Sequence, residues 1–329
     1  MIALIATVLN EGQSIHRLMR SILAQTRQPD ELVIVDGGSR DDTVDIIKSY
    51  ADRLPLNVLV EPGCNISAGR NRAIAAATSD IIAVTDAGVE LDVNWLEKIT
   101  RPLLENPDCQ LVGGFFNADY SSPFELAMSA TVLPLMEEIN AATFLPSSRS
   151  VAFRKSVWQA VGGYPEWLDY CEDLIFDLRT KTAINQPPGF EPEAVVAFRP
   201  RGSLRSFFKQ YYLYARGDGK ADLWRKRHAA RYLTYLVALP LIAVLGVFVH
   251  PLVWLLLIPG AFIYLRQPYQ RLFKLMRHNP PTMLSSRLYL MVLVPVIRVV
   301  GDLAKMLGYP VGWVWRLRQH PPDWRNSAN

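Results

Sequence analysis

Cysteine, histidine and charge are all scarce in this chain of 329 residues. Its three cysteines, Cys64, Cys109 and Cys171, are too few and too scattered for a disulfide framework or for the paired ligands of a structural zinc site. They fit a reducing compartment. Charged residues make up 20% of the sequence and hydrophobic residues 50%, the reverse of a disordered or low-complexity chain. The apolar run 2–8 has no basic segment before it and no small-residue cleavage site after it, so no signal peptide is expected. The fingerprint G-x-G-x-x-G is missing, and hydride transfer from a nicotinamide loses its support with it.

Basic residues are sparse in the first two thirds and dense in the last. Residues 1–200 hold 16 Lys and Arg against 27 Asp and Glu, while residues 201–329 hold 19 against 4. The basic excess therefore shares its stretch with the long apolar runs, which points to a membrane surface and not to nucleic acid.

Across the first 120 residues, Val- and Ile-rich runs at 2–8, 32–35, 58–60, 81–85 and 111–115 alternate with helical periodicity at about 13–25, 41–52, 67–78 and 92–104. Uniformly apolar runs are expected to be buried parallel strands, and the segments between them crossover helices. The result is a doubly wound α/β sheet, mostly parallel, with its ligands beyond the carboxyl ends of the strands. This domain is expected to cover residues 1–220.

Residues 221–329 form a different region, a membrane-associated one. Tyr232 to Val249 gives 18 residues without charge and Pro251 to Leu265 another 15, separated by a His-Pro break. At about 1.5 Å per residue they reach roughly 27 and 22 Å, near a hydrocarbon core of about 30 Å. A transmembrane helical hairpin over about 232–265 is expected. Arg225, Lys226, Arg227 and Arg231 before it, and Arg266, Arg271, Lys274 and Arg277 after it, place both ends on the cytoplasmic side. A third stretch, about 284–307, is interrupted by Arg298, Asp302 and Lys305 and reads as an interfacial helix, with Trp313 and Trp315 as a headgroup-level anchor.

Four strand ends carry the chemistry. The first closes in Thr7-Val-Leu-Asn-Glu-Gly12, which sets Asn10 and Glu11 at a carboxyl edge. The second closes in Val35-Asp-Gly-Gly-Ser-Arg-Asp-Asp-Thr43, where Asp36 halts a buried run and Gly38 and Ser39 let backbone approach a ligand. Then comes Asn65-Ile-Ser-Ala-Gly-Arg-Asn-Arg72, with Ser67 as a candidate cap and Arg70 in the first helical turn, a combination suited to a diphosphate. The fourth strand delivers Thr85-Asp-Ala-Gly88, whose Asp86 is placed to hold a divalent cation.

In this order the four segments resemble the family 2 glycosyltransferases of the GT-A fold, over about residues 1–220. Members pair a first-strand Asn-Glu, a V-D-D-G-S-x-D-x-T segment, an A-R-N segment and a D-x-D metal motif. Here Gly37 replaces the second Asp of the nucleotide segment, and Gly88 replaces the last Asp of the metal motif. The resemblance implies that Thr7, Asn10, Glu11, Asp36, Gly38, Ser39, Arg70 and Asp86 bind the nucleotide-diphosphate sugar donor. It also implies a magnesium or manganese ion at Asp86. The acceptor-side pair of the family falls on Glu172 and Asp173, with Asp173 as general base for an inverting displacement. The family's Q-x-x-R-W segment matches 207–217 only in part. Gln210 is kept, Leu213 and Tyr214 stand at the Arg and Trp positions, and Arg216 supplies a cation nearby, so Gln210 and Arg216 are assigned to the acceptor and diphosphate side.

The implied protein is a multi-pass glycosyltransferase of the cell membrane with its catalytic domain in the cytoplasm, acting on a saccharide or lipid-linked acceptor. The rival from another class is a catalytically silent membrane scaffold that keeps the nucleotide-sugar fold. A nucleotidyltransferase is disfavoured, because the glycine-rich G-x-G-T-R-x loop those enzymes carry near the N-terminus is absent.

Overall fold

A computed structural model describes residues 1–278 and 284–325. The elements run β1 (Ile2–Val8), α1 (Ile15–Leu23), β2 (Glu31–Asp36), α2 (Thr43–Lys48), β3 (Leu56–Val60), α3 (Ile66–Ala76), β4 (Ile81–Asp86), β5 (Val89–Leu91), α4 (Trp95–Glu105) and β6 (Leu111–Ala118). They continue with α5 (Pro123–Val132), β7 (Val151–Arg154), α6 (Lys155–Ala160), α7 (Glu172–Ile184), β8 (Gly189–Phe198), α8 (Leu204–Ala221), α9 (Arg225–Leu233), α10 (Leu239–Phe248), α11 (Leu257–His278) and α12 (Leu284–Gln319). Contacts divide the chain into two units. The first comprises Met1–Asp119, Met136–Arg199 and the tail from Pro321, and the second Tyr120–Leu135 and Pro200–His320.

The first unit is built on an eight-stranded sheet of order β3-β2-β1-β4-β7-β6-β8-β5. Alternate residues of β1 serve opposite faces, as strand geometry requires. Ile2, Leu4, Ala6 and Val8 pack with Leu18, Ile22, Trp95 and Ile99, whereas Ala3 and Ile5 pack with Ala73, Ile74, Tyr164 and Phe176. Both faces are covered, which explains why these strands read as unbroken apolar runs.

The sheet is mixed. β1 to β4 pair in parallel, but β7 enters antiparallel between β4 and β6, and β5 closes the edge antiparallel to β8. The run expected at 111–115 as one more parallel strand extends to Ala118 and is parallel only to β8, across a register irregularity between Gly113 and Phe115.

The second unit is helical. Leu126, Met128, Phe207, Leu272, Leu290, Val294 and Ile297 share its core. α12 runs on to Gln319, through Pro295 and Pro310, so it contains Trp313 and Trp315 as well as the 284–307 stretch. It touches α8 at backbone distance: a Cβ on Gly308 would lie 2.1 Å from the carbonyl oxygen of Tyr212, and one on Gly312 would lie 2.0 Å from that of Arg216. Two helical stretches, Arg225–Phe248 and Pro251–Arg277, are long and apolar enough to cross a membrane. They leave Leu233, Leu236, Leu241, Val244, Phe262 and Ile263 exposed.

Candidate active site

The carboxyl ends of β1 and β2 are zipped together by short polar side chains. Asp36 is fully buried, with its Oδ1 accepting the amides of Gly38 at 2.9 Å and Ser39 at 2.8 Å, while Ser39 Oγ donates to Oδ2. Its carboxylate therefore shapes the turn from within instead of projecting from it. Asn10, in the left-handed region at φ 54°, donates its amide to Ser39 Oγ at 2.8 Å and accepts the Arg40 amide at 2.9 Å. Glu11 donates its amide to Thr43 Oγ1 at 2.8 Å, and its carboxylate takes the Ser14 hydroxyl. Asn10, Glu11, Gly38 and Ser39 thus lie on one loop cluster, with Thr7 and Asp36 in the strand ends that lead into it.

α3 sits directly over β1 because residue 69 has no side chain: a Cβ there would come 2.8 Å from Thr7 Cγ2. The cap of this helix is Asn65, whose Oδ1 accepts the Ala68 amide at 2.9 Å. The expected cap, Ser67, lies inside the first turn, fully buried, and donates to the Leu168 carbonyl at 3.0 Å. Asn71 ties the same helix to the 158–166 segment, accepting from Trp158 Nε1 and the Tyr164 amide at 2.9 Å each.

Between them Arg70 is 2% exposed and joins two carboxylates. Its Nη1 donates to Glu172 Oε1 at 2.6 Å and its Nη2 to Asp86 Oδ1 at 2.8 Å. The guanidinium expected to face a diphosphate is therefore committed to two acids. Burial opposes its charge, but Asp86 and Glu172 outweigh that and hold Arg70 more firmly protonated than usual. Asp86 closes β4 opposite Thr7, and Asp36 closes β2 opposite Val8. With β1 between them, at about 4.8 Å per strand, their Cα atoms stand about 10 Å apart.

Glu172 and Asp173 open α7, behind Cys171 at φ 65°. Burial, together with the negative charge of Asp173, pushes Glu172 up to about 7, with Arg70 pulling the other way. Asp173 is half-buried, and its Oδ1 accepts the Leu174 amide at 2.9 Å. One turn on, Asp177 is 2% exposed with its Oδ2 unpartnered among the described residues, and burial beside Asp173 raises it well above the carboxylate range. The i,i+4 spacing from Asp173 was a legible sign that Asp177 shares its face.

Arg149 was not singled out from sequence. Its Nε lies 3.8 Å from Asp86 Oδ2, and its guanidinium stacks 4.3 Å from the Phe198 ring centroid. Thr85 Oγ1 donates to the Arg149 carbonyl at 3.0 Å, which holds it beside the end of β4. Gln210 and Arg216 lie on α8 in the second unit, where Gln210 Nε2 donates to the Tyr214 hydroxyl at 2.8 Å. Asp86 is the sole carboxylate of its segment, and no group of three metal-ligating side chains occurs among the described residues.

Residues 3–152 match the model of glycosyl transferase family 2. The chain is 25% identical over 200 residues to the O-antigen chain rhamnosyltransferase WbaN of Salmonella anatum, covering 57% of this chain and 62% of that one. It is 25% identical over 163 residues to a glucosyl-dolichyl phosphate glucuronosyltransferase of Haloferax volcanii, covering 46% and 51%. The chain thus spans just under two thirds of the first relative and about half of the second. Among solved structures, mannosyltransferase PcManGT from Pyrobaculum calidifontis, in complex with GDP-Man and Mn2+, superposes with a TM-score of 0.62 at 17% identity, covering 93% of this chain and 86% of that one. That likeness is one of fold.

Proposed function

We propose that this chain, a glycosyltransferase carrying a family 2 domain, moves a sugar from a nucleotide-diphosphate donor to a hydroxyl of a saccharide or lipid-linked acceptor, with inversion, at the cytoplasmic face of a membrane. The observation that carries this reading is the Arg70 bridge, which ties Asp86 at the end of β4 to Glu172 at the start of α7. Asp173, next along α7, takes the proton of the acceptor hydroxyl as its oxygen attacks the anomeric carbon, and the bond to the diphosphate breaks on the opposite side. A base in hydrogen-bond reach contributes about 10² to 10⁴ in rate. Asp36 acts through the turn, which it holds in shape for the nucleotide by accepting the Gly38 and Ser39 amides. Arg149, beside Asp86, faces the charge that develops on the departing diphosphate.

A magnesium or manganese ion fits at Asp86. Its Oδ2 makes no hydrogen bond among the described residues and meets only the Arg149 guanidinium at 3.8 Å, a looser ion pair that an entering ion would displace. A Cβ on Gly88 would meet nothing within 4 Å, which leaves room for the waters that magnesium retains. Asp86 would hold the ion with donor oxygens, and the bound ion would neutralise diphosphate charge. The glucuronosyltransferase relative, whose name contains a dolichyl phosphate, supports a lipid-linked acceptor, and the rhamnosyltransferase supports a saccharide chain. The stretches Arg225–Phe248 and Pro251–Arg277, flanked by basic residues, support a membrane hairpin with cytoplasmic ends.

Membranes containing the protein, incubated with a panel of labelled nucleotide sugars and then extracted with organic solvent, test this reading. Label from one donor entering the organic or polysaccharide fraction is expected. Release of free sugar alone, or of none from any donor, would overturn it.

A further inference from the structure

The second unit holds a set of cations that its own carboxylates do not match. Arg298, Asp302 and Lys305 follow at spacings of four and three along α12 and so share one face. Arg231 of α9 joins them, its Nε donating to Asp302 Oδ1 at 2.8 Å. The other oxygen of Asp302 accepts the hydroxyls of Tyr264 at 2.7 Å and Tyr235 at 3.2 Å. Asp302, 8% exposed, is thereby saturated.

Among the described residues nothing comparable serves the two remaining cations. Among the described residues neither Arg298 nor Lys305 has a hydrogen bond or an ion pair. Arg298 stacks 5.1 Å from the Tyr264 ring centroid with its Nε buried and unpartnered, and Lys305 stacks 4.9 Å from the Tyr211 ring. Asp218, the next carboxylate, is 3.1 Å from His228 Nε2, while His228 Nδ1 lies 3.2 Å from Arg231 Nη1. A neutral imidazole protonated at Nε2 satisfies both contacts. Among the described residues of this cluster the balance is three cations against two carboxylates.

Burying an unmatched cation is costly, and such groups are retained where an anion completes them. Burial and the neighbouring Arg231 and Arg298 push the Lys305 ammonium down to about 8, the direction expected of a charge awaiting its partner. The helices that carry Arg231, Tyr235 and Tyr264 expose Leu233, Leu236, Leu241, Phe262 and Ile263. A ligand reaching this cluster would meet cations and an apolar flank together.

We propose that Arg231, Arg298 and Lys305 bind the phosphate head group of a membrane lipid, whose acyl or polyprenyl chain lies along the exposed apolar helices. Lipid binding is read without donor or turnover, so the proposal stands or falls apart from the catalytic reading.

Native mass spectrometry of the full chain in detergent tests it, with phosphatidate, a polyprenyl phosphate and a phosphate-free diacylglycerol as probes. One phosphate lipid should be retained per chain in preference to the diacylglycerol. Arg298→Gln and Lys305→Gln should each weaken retention about tenfold, the loss of one charge-assisted contact, while Arg298→Lys keeps most of it and the exposed Arg318→Gln changes nothing. The phosphate lipid held more tightly tells an acceptor from bulk lipid. Because neither cation makes a hydrogen bond and each Gln variant loses only a cation–π contact, both should melt within a few degrees of wild type without lipid. Equal retention of diacylglycerol, unchanged binding in the Gln variants, full displacement by inorganic phosphate, or melting well below wild type would each overturn the proposal.

Discussion

Replacing Arg70 by Met removes the charge at the centre of the candidate site and nearly preserves its volume. The side chain is 2% exposed and makes two charge-assisted bonds, at 2.6 Å to Glu172 and 2.8 Å to Asp86. Breaking a buried pair from one side costs about 3–5 kcal/mol, because the carboxylate left behind has no partner. Asp86 is 27% exposed and can turn to water, so most of that cost falls on Glu172, which is 8% exposed. Arg70 is also the group that pulls Glu172 downward, so its loss lets Glu172 take up a proton more readily. The destabilisation should then be about 3–5 kcal/mol near pH 8 and smaller by about 1–2 kcal/mol near pH 6. Hydrogen exchange of the β1 and β4 amides reports opening of this sheet. The double variant Arg70→Met/Glu172→Gln should cost about 2 kcal/mol less than the sum of the singles. A cost below about 1 kcal/mol at both pH values, with additive singles, would refute the idea that Arg70 holds this site together.

Glu172→Gln isolates the carboxyl itself. Its pKa is raised from 4.5 to about 7 in the folded chain, so the folded state binds the extra proton between those values. Its stabilising contribution is full below the unfolded pKa and is lost as pH rises through 7, by up to about 3 kcal/mol. Wild type should therefore lose stability relative to Glu172→Gln from about pH 4.5 to about pH 7.5, as read by urea unfolding, and parallel curves would contradict the assignment. For the metal, chelation with EDTA should lower turnover and magnesium or manganese restore it. Gly88→Asp, whose Cβ has open space, should shift that restoration to lower cation concentration, and an unshifted curve would count against a cation at Asp86.

β1, β2 and β4 were readable because both faces of each are buried, so their apolar runs alone marked them, whereas β3, half-exposed at the sheet edge, showed only as the short run 58–60. β7 was not, since its four residues are too short to give a period, and β8 was hidden by Glu191, Pro192 and Glu193 interrupting its apolar residues. Antiparallel entry of β7 left no local trace. At the site, Asp86 was placed by the end of its strand and Glu172 by the family resemblance, but their common partner was not, because the contact spans 102 residues between Arg70 and Glu172. Asn65 and Ser67 both suit a cap, and only the backbone turn before Ile66 selected Asn65. Pro295 and Pro310 each remove a helix-interior donor, yet packing along α8 and α5 carries α12 through both, past the end expected near 307.

Asp173→Asn is the most direct measurement of the central claim. The amide keeps the shape and a hydrogen bond to the acceptor but cannot take its proton. Transfer from the labelled donor should fall by about 10² to 10⁴ while donor affinity stays within about twofold of wild type. Full turnover in Asp173→Asn would contradict the account.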